Sequence, residues 1–409
     1  MKILTITLNL LIALSLYAEK KTITVGILAP NRIMREAYID AKLKFEKENP
    51  DIAVKLIVKS IKHYNEQFPK WMAEKKGPDV LFWYAGEQLR SYVRQGAVAS
   101  ISPLWEKANL DKSISENFKK LVTYKEQVYA IPFAYYGWGF IYRKSIFKKY
   151  DLQPPKNWPE FNKVCQTLKN NNITPVSIGL KNKWPCLAWF DYLDLRINGL
   201  AYHLKLLKGQ ISYKDPGVKK VLTELKKLID NATFCPERIK LDWKKALSQI
   251  NNGVSGMTLI GLFAENELPE DLKDDYQFFP FPQIQQIKKF ENVPTDVFFM
   301  PSFAKNKPQA LRFLQFISQA ENMAILNRGT GSFSTNATKT SNLTPIKKQF
   351  KTLMQQADGF SQYFSRDSIS EDISNTATDA LTAFFLKPEI DRFINILEKK
   401  RLELSTKAP

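Results

Sequence analysis

The chain has 409 residues, with 60 Lys and Arg against 41 Asp and Glu and a formal net charge of +19. It is 44% hydrophobic and 12% aromatic with only 16 glycines, which excludes a disordered or glycine-rich chain and leaves room for about two to three domains. The basic residues are scattered, as at Lys144, Lys148 and Lys149, without a dense tract interleaved with aromatics, so nucleic acid is not an expected partner.

The start of the chain reads as an export signal. Met1-Lys2 is positive, Ile3 to Leu16 is mostly apolar, and Ala18 precedes Glu19-Lys20-Lys21. The apolar run is too short and too interrupted, by Thr5, Thr7 and Asn9, to span a bilayer. Cleavage after Ala18 predicts signal peptide 1–18 and a soluble, periplasmic mature protein.

Thr22 to Leu28 alternates through Ile23, Val25 and Ile27, the pattern of a strand. A helix over Arg35 to Asn49, a strand over Ile52 to Val58 and a helix over His63 to Lys75 follow, then a strand from Asp79. This β-α-β-α-β order predicts a doubly wound α/β sheet. Gln127 to Ile131 is a further short strand, and Phe133 to Tyr142 is an aromatic run holding Gly137 and Gly139. Helices are predicted over Ser145–Tyr150, Trp158–Asn170, Cys186–Asn198, Pro216–Asn231 and Trp243–Asn251, and strands over Ser255–Ile260 and Tyr276–Phe281. Asn306-Lys307-Pro308 opens a helix whose apolar face carries Leu311, Leu314, Ile317 and Ala320. The tail from Ile373 to Leu404 reads as mainly helical. No linker interrupts the chain, which suits lobes built from discontinuous segments.

The most telling stretch is Gly77-Pro78-Asp79-Val80-Leu81-Phe82-Trp83-Tyr84-Ala85-Gly86-Glu87. A buried strand there ends in a loop with two aromatics and a carboxylate. Ligands of open α/β sheets sit outside the carboxyl ends of strands. Aromatic faces attract C–H groups and Glu accepts from hydroxyls, which suits a sugar; a core strand whose Trp merely packs fits the same residues.

In the order they occur, six elements resemble one family. They are Phe45 to Ile52, Gly77-Pro78-Asp79-Val80 with Gly96, and Tyr129-Ala130-Ile131-Pro132 followed by Ile141-Tyr142-Arg143-Lys144. Pro155 to Phe161, Asn252-Gly253-Val254-Ser255-Gly256-Met257, and Gly261-Leu262-Phe263 complete the set. From about Thr22 to its end the chain resembles the extracellular solute-binding proteins of ABC sugar importers, the maltose-binding-protein-like family. Arg143, Asn157 and Phe263 depart from the usual residues of those elements. The resemblance implies an α/β, two-lobed periplasmic-binding-protein fold of type II, each lobe a mostly parallel sheet flanked by helices. Lobe one would comprise 22–132 with 300–333 and lobe two 136–296 with 336–409, with hinge crossings near 132–135, 296–300 and 331–334.

It also implies a monomer that closes on a small-molecule carbohydrate and presents it to the membrane subunits of an ABC permease, with no cofactor. The candidate ligand residues are Trp83, Tyr84 and Glu87 in the first cleft loop, and Tyr135, Tyr136 and Trp138 after the first crossing. Trp184, Asp191, Phe263, Asp296, Arg328 and Asp367 complete the set, with Arg366 beside Asp367 as a further charged pair.

The competing reading is an exported glycan hydrolase using two opposed carboxylates, which 41 acidic residues permit. The two histidines, His63 and His203, lie in unlike contexts, and His-Glu-x-x-His, Gly-x-Ser-x-Gly and Gly-Lys-Ser/Thr motifs are absent. Cys165, Cys186 and Cys235 fit no metal spacing; one disulfide or three buried thiols are both compatible with them.

Overall fold

The computed structural model describes residues 20–29, 31–328, 330–336 and 343–405, so the expected export signal lies outside the described residues. Strand β1 (Lys21–Leu28) buries Ile23, Val25 and Ile27 completely, as its alternation predicts. Burial of each such side chain stabilises the fold by roughly 1.5–3 kcal/mol. Helix α1 (Arg32–Glu48) starts where the Asn31 side chain accepts from the Met34 N–H, and α2 (Ile61–Glu74) starts at a Ser60 cap after β2 (Ile52–Lys59). Strand β3 (Val80–Tyr84) follows, then α3 (Glu87–Arg94). Asp79 fixes the entry to β3: its carboxylate accepts from the Thr24 N–H and from the N–H groups of Lys305 and Asn306.

Strand β4 (Ile131–Tyr135) and strand β5 (Trp138–Arg143) are separated only by Tyr136-Gly137, yet they belong to different sheets. Helix α4 (Trp158–Asn170) begins in a capping box, with Asn157 accepting from the Glu160 N–H and Glu160 accepting from the Lys156 N–H. Strand β6 (Thr174–Val176), helix α5 (Pro185–Ile197), helix α6 (Leu200–Leu207), strand β7 (Ser255–Gly261) and strand β8 (Tyr276–Phe279) build the second half. After β9 (Phe290–Asn292) the chain returns as β10 (Thr295–Phe299), helices α7 (Lys307–Ile317) and α8 (Ala320–Leu326), and β11 (Phe333–Ser334). It ends with α9 (Pro345–Gln356), β12 (Gly359–Ser361), the short α10 (Phe364–Asp367), α11 (Glu371–Leu386) and α12 (Ile390–Ser405).

The first sheet has the order β11-β4-β10-β3-β1-β2 and the second β8-β5-β7-β6. Both are mixed in sense rather than mostly parallel. Strand β1 runs parallel to β2 and β3, but β10 and β11 come back from the second half and pair antiparallel. In the second sheet β5 is antiparallel to both neighbours, and only β6 and β7 are parallel. The first passage between sheets is Tyr136-Gly137. The second runs through β9 and reaches the first sheet at Thr295, so residues 296–300 lie inside or directly after β10 rather than between the sheets. The third expected crossing, 331–334, ends in β11 itself, which belongs to the first sheet. Strands β9 and β12 form a separate two-stranded parallel ribbon at this junction. A buried ion pair, Arg196 to Glu291 at 2.6 Å, fastens the ribbon to α5, and the Tyr192 hydroxyl joins Glu291 to the Trp138 carbonyl.

The three cysteines are free and buried. No described helix is long and apolar enough to cross a membrane.

The tightness of the first passage gives a test. A Cβ on Gly137 would lie 1.9 Å from the Phe350 ring of α9. Gly137→Ala should therefore cost about 1–3 kcal/mol, with partial recovery when Phe350→Leu is added. Thermal melting of the single and double variants checks this; an unchanged melting temperature for Gly137→Ala contradicts it.

Candidate functional site

A cavity of about 650 Å³ opens between the two sheets, within the usual range for ligand sites. Trp83 and Tyr84 enter it from the end of β3, and Glu87, Gln88 and Tyr92 from α3. Tyr136 stands at the first passage. From the second half come Trp138 at the start of β5, Trp184 at the start of α5 and Phe263 after β7. Tyr363, Ser365 and Arg366 form the floor, and Glu371 and Asn375 of α11 lie farther out.

The second half contributes an interlocked aromatic cluster. Tyr363 stacks on Trp138 at 5.2 Å, and Trp184 meets Trp138 edge-on at 5.7 Å. Phe263 meets Tyr136, Trp138 and Trp243 near perpendicular, at 5.5, 6.1 and 5.4 Å. Such edge-to-face contacts hold each ring in place. Trp138 is buried and backs the cluster, whereas Trp184, Phe263 and Tyr136 remain partly exposed. On the first half one face of each ring is already occupied. Trp83 lies flat on Phe68 at 3.5 Å, and the Arg366 guanidinium covers Tyr84 at 4.0 Å.

Arg366 is the charge at the centre of the floor. It pairs with Asp296 at 3.1 Å and donates to the Tyr136 hydroxyl at 3.5 Å. Burial pushes the Asp296 carboxyl up, against the pull of Arg366. Burial likewise pushes the Tyr84 hydroxyl up to about 12.

Below the floor, carboxylates bind the backbone of Gln362–Ser368. Asp367 accepts from the N–H of Gln362 at 2.8 Å and of Glu87 at 3.3 Å. Gly86 permits this, since it has φ +81° and a Cβ there would lie 2.4 Å from Asp367 Oδ1. Glu87 pairs with Arg94 and, at 3.5 Å, with Arg90. Gln88 donates to the Ser365 carbonyl at 2.8 Å. Asp191 accepts from the Phe364 N–H at 2.9 Å and from Asn292 at 2.8 Å. His203 lies between Asp194, at 2.8 Å, and Asp191, at 3.7 Å.

Of the residues expected from sequence, Trp83, Tyr84, Glu87, Tyr136, Trp138, Trp184 and Phe263 line the cavity. Five others do not. Tyr135 packs behind the wall on Phe118 and Phe333, because adjacent strand residues point to opposite sides. Asp191 sits on a helix whose residues Pro185 to Arg196 are all buried, so it can serve only the interior. Asp367 is likewise buried and spent on backbone N–H groups. Asp296 lies behind Arg366. Arg328 ends α8 on the outer flank, where it is exposed and pairs with Asp40 of α1. The sequence reading missed Tyr363, Ser365 and Glu371, which follow the ribbon strand β12. The signal for them was weak: a polar Ser-Arg-Asp-Ser run between a Tyr-Phe pair and a Ser370 helix cap. Among the described residues no group of three or more His, Cys, Asp or Glu could hold a metal ion.

Residues 32–324 match the family described as bacterial extracellular solute-binding protein. An uncharacterized ABC transporter extracellular-binding protein of Pyrococcus horikoshii is 27% identical over 336 residues, spanning 77% of this chain and 72% of that one. The solved structure of the bacterial solute receptor AcbH, titled for an exclusive preference for β-D-galactopyranose, aligns with a TM-score of 0.86 at 23% identity, covering 95% of this chain and 99% of that one. RafE of Streptococcus pneumoniae, in complex with raffinose, aligns with a TM-score of 0.70 at 18% identity, covering 92% and 98%.

The buried acid–imidazole group predicts a pH dependence. Burial opposes the His203 imidazolium, but the hydrogen bond to Asp194 and the charges of Asp191 and Asp367 outweigh it and raise its pKa above 6.5. Burial pushes Asp191 up from 3.8 to about 7. Both groups hold their proton more tightly folded than unfolded. His203 therefore stabilises fully below pH 6.5, and that stability is lost as pH rises through its folded value. Urea melts should show the stability gap between wild type and His203→Gln shrinking as pH rises above 6.5. A gap that is constant or widens contradicts this.

Proposed function

Because the chain belongs to the bacterial extracellular solute-binding protein family, we propose that it is the exported carbohydrate-binding component of an ABC importer. The observation that carries this reading is one interlobe cavity in which the partly exposed Trp184, Phe263 and Tyr136 occur together with Tyr84, Glu87 and Arg366. A sugar ring offers C–H faces to aromatic planes and a rim of hydroxyls to polar side chains. AcbH and RafE, of like fold, are titled for galactopyranose and raffinose binding.

In this reading the two halves close over the sugar by bending at the passages between the sheets. The protein acts as a monomer outside the cytoplasmic membrane and hands its ligand to permease subunits. Trp83, Tyr84, Glu87, Tyr136, Trp184 and Phe263 form the ligand surface, joined by Arg366, with Trp138 and Tyr363 backing the rings. No bond is made or broken. Glycoside hydrolysis needs two opposed carboxyl groups, one of them protonated. Glu87, the buried carboxylate in the wall, is tied up by Arg90 and Arg94, and Glu371 is exposed.

Thermal melting against neutral mono- and oligosaccharides tests the reading. A ligand at 100 times its Kd should stabilise by ~2.7 kcal/mol, and mass spectrometry of the released sugar should find it intact. Trp184→Ala should weaken that binding by roughly 10- to 100-fold, about 1–3 kcal/mol. Release of shorter saccharides, or full affinity in the variant, contradicts the reading.

A further inference from the structure

We propose that this cleft selects saccharides carrying no negative charge, and that Asp296 enforces the choice by holding Arg366. The proposal rests on the reading of the cavity as a saccharide site and specifies which class of saccharide it takes.

With a net charge of +19, the protein surface as a whole attracts anions. The cleft does not share this character. Among the described residues no lysine lines the cavity, and the charged lining residues are Glu87, Arg366 and Glu371.

Arg366 is the one cation among the described lining residues, and its charge is already paired. One face covers Tyr84 at 4.0 Å, and its nitrogens reach Asp296 at 3.1 Å and the Tyr136 hydroxyl at 3.5 Å. Its side chain is only 13% exposed. Glu87 is matched from behind by Arg94 and Arg90, and Arg90 also lies 3.8 Å from Asp367. These two arginines and two acids balance, as do Arg366 and Asp296. Glu371, exposed in the outer part of the cavity, adds a negative charge. The wall is therefore neutral to negative inside a strongly cationic protein.

A carboxylate or phosphate entering this cavity gives up hydration and needs a charged partner to compensate. At the outer edge of the guanidinium it meets a charge already cancelled by Asp296 3.1 Å away, so the lost hydration is not repaid. A hydroxyl carries no charge that needs such compensation. It can accept from the outer edge of the guanidinium while the Asp296 pair stays intact. Asp296 thus acts through Arg366, as a residue that sets specificity without being part of the lining.

Calorimetric titration of the wild-type chain at low salt tests this with matched probes: glucose, galactose and their dimers against glucuronate, galacturonate and glucose 6-phosphate. The neutral member that binds should do so at least tenfold more tightly than its acidic counterpart. Asp296→Asn, which frees the Arg366 charge, should narrow that ratio at least tenfold, and the gain should fade with added salt. An acid that binds wild type as tightly as its neutral partner overturns the proposal while leaving the saccharide reading intact. An unchanged ratio in a folded Asp296→Asn variant overturns the role of Asp296. Silence from every neutral and acidic probe overturns the saccharide reading itself, and this proposal with it.

Discussion

A short segment, Gln362–Ser368, is tied to both halves by two buried carboxylates, its own Asp367 and the distant Asp191, and the cleft is built around it. Asp367 reaches to the backbone at the start of α3 in the first half, while Asp191 of α5 in the second half takes the Phe364 N–H. A buried N–H left unpaired costs about 1–3 kcal/mol, so these acceptors fix the segment's position. Once it is fixed, Tyr363 lies against Trp138 of one wall and Arg366 against Tyr84 of the other. The floor thereby sets the spacing between the walls. Movement of the halves would have to turn about this segment and the adjoining β9–β12 ribbon.

The walls differ in kind. In the second half the rings brace one another edge to face, and Trp184 and Phe263 keep surface for a ligand. In the first half Trp83 is stacked on Phe68 and Tyr84 is covered by a guanidinium. That half presents polar atoms beside aromatic edges. A molecule with one apolar face and one hydroxylated rim complements such a pair of surfaces. The charges nearby are cancelled locally, so shape and hydrogen bonding decide what stays.

Much of the fold was legible from spacing and caps. The helices at Trp158–Asn170 and Trp243–Asn251 begin where Asn157 and Asp242 cap them, and their ends coincide with the expected ones. Strand sense was not legible, because β10 and β11 pair with strands more than 150 residues away in sequence. The aromatic members of the site were legible because rings near strand ends are few. Among the misplaced residues, Tyr135 and Tyr136 are neighbours, and only sheet position tells which one faces the cleft. Asp191 lay on a helix apolar on every side, and that pattern already marks a buried helix. The floor segment offered little periodicity to read: its single helical turn closes on local carbonyls, and its place is set by the contacts of Asp367 with Glu87 and of Asp191 with Phe364, far apart in sequence.

The measurement that most directly tests this account is a crystal structure with the tightest-binding saccharide. The account predicts one intact sugar between the sheets, a ring face against Trp184, and the two halves closer together, with the Asp367–Glu87 and Asp191–Phe364 contacts kept. A sugar bound outside this cavity, or a cleft that holds it without any approach of the halves, would contradict the account.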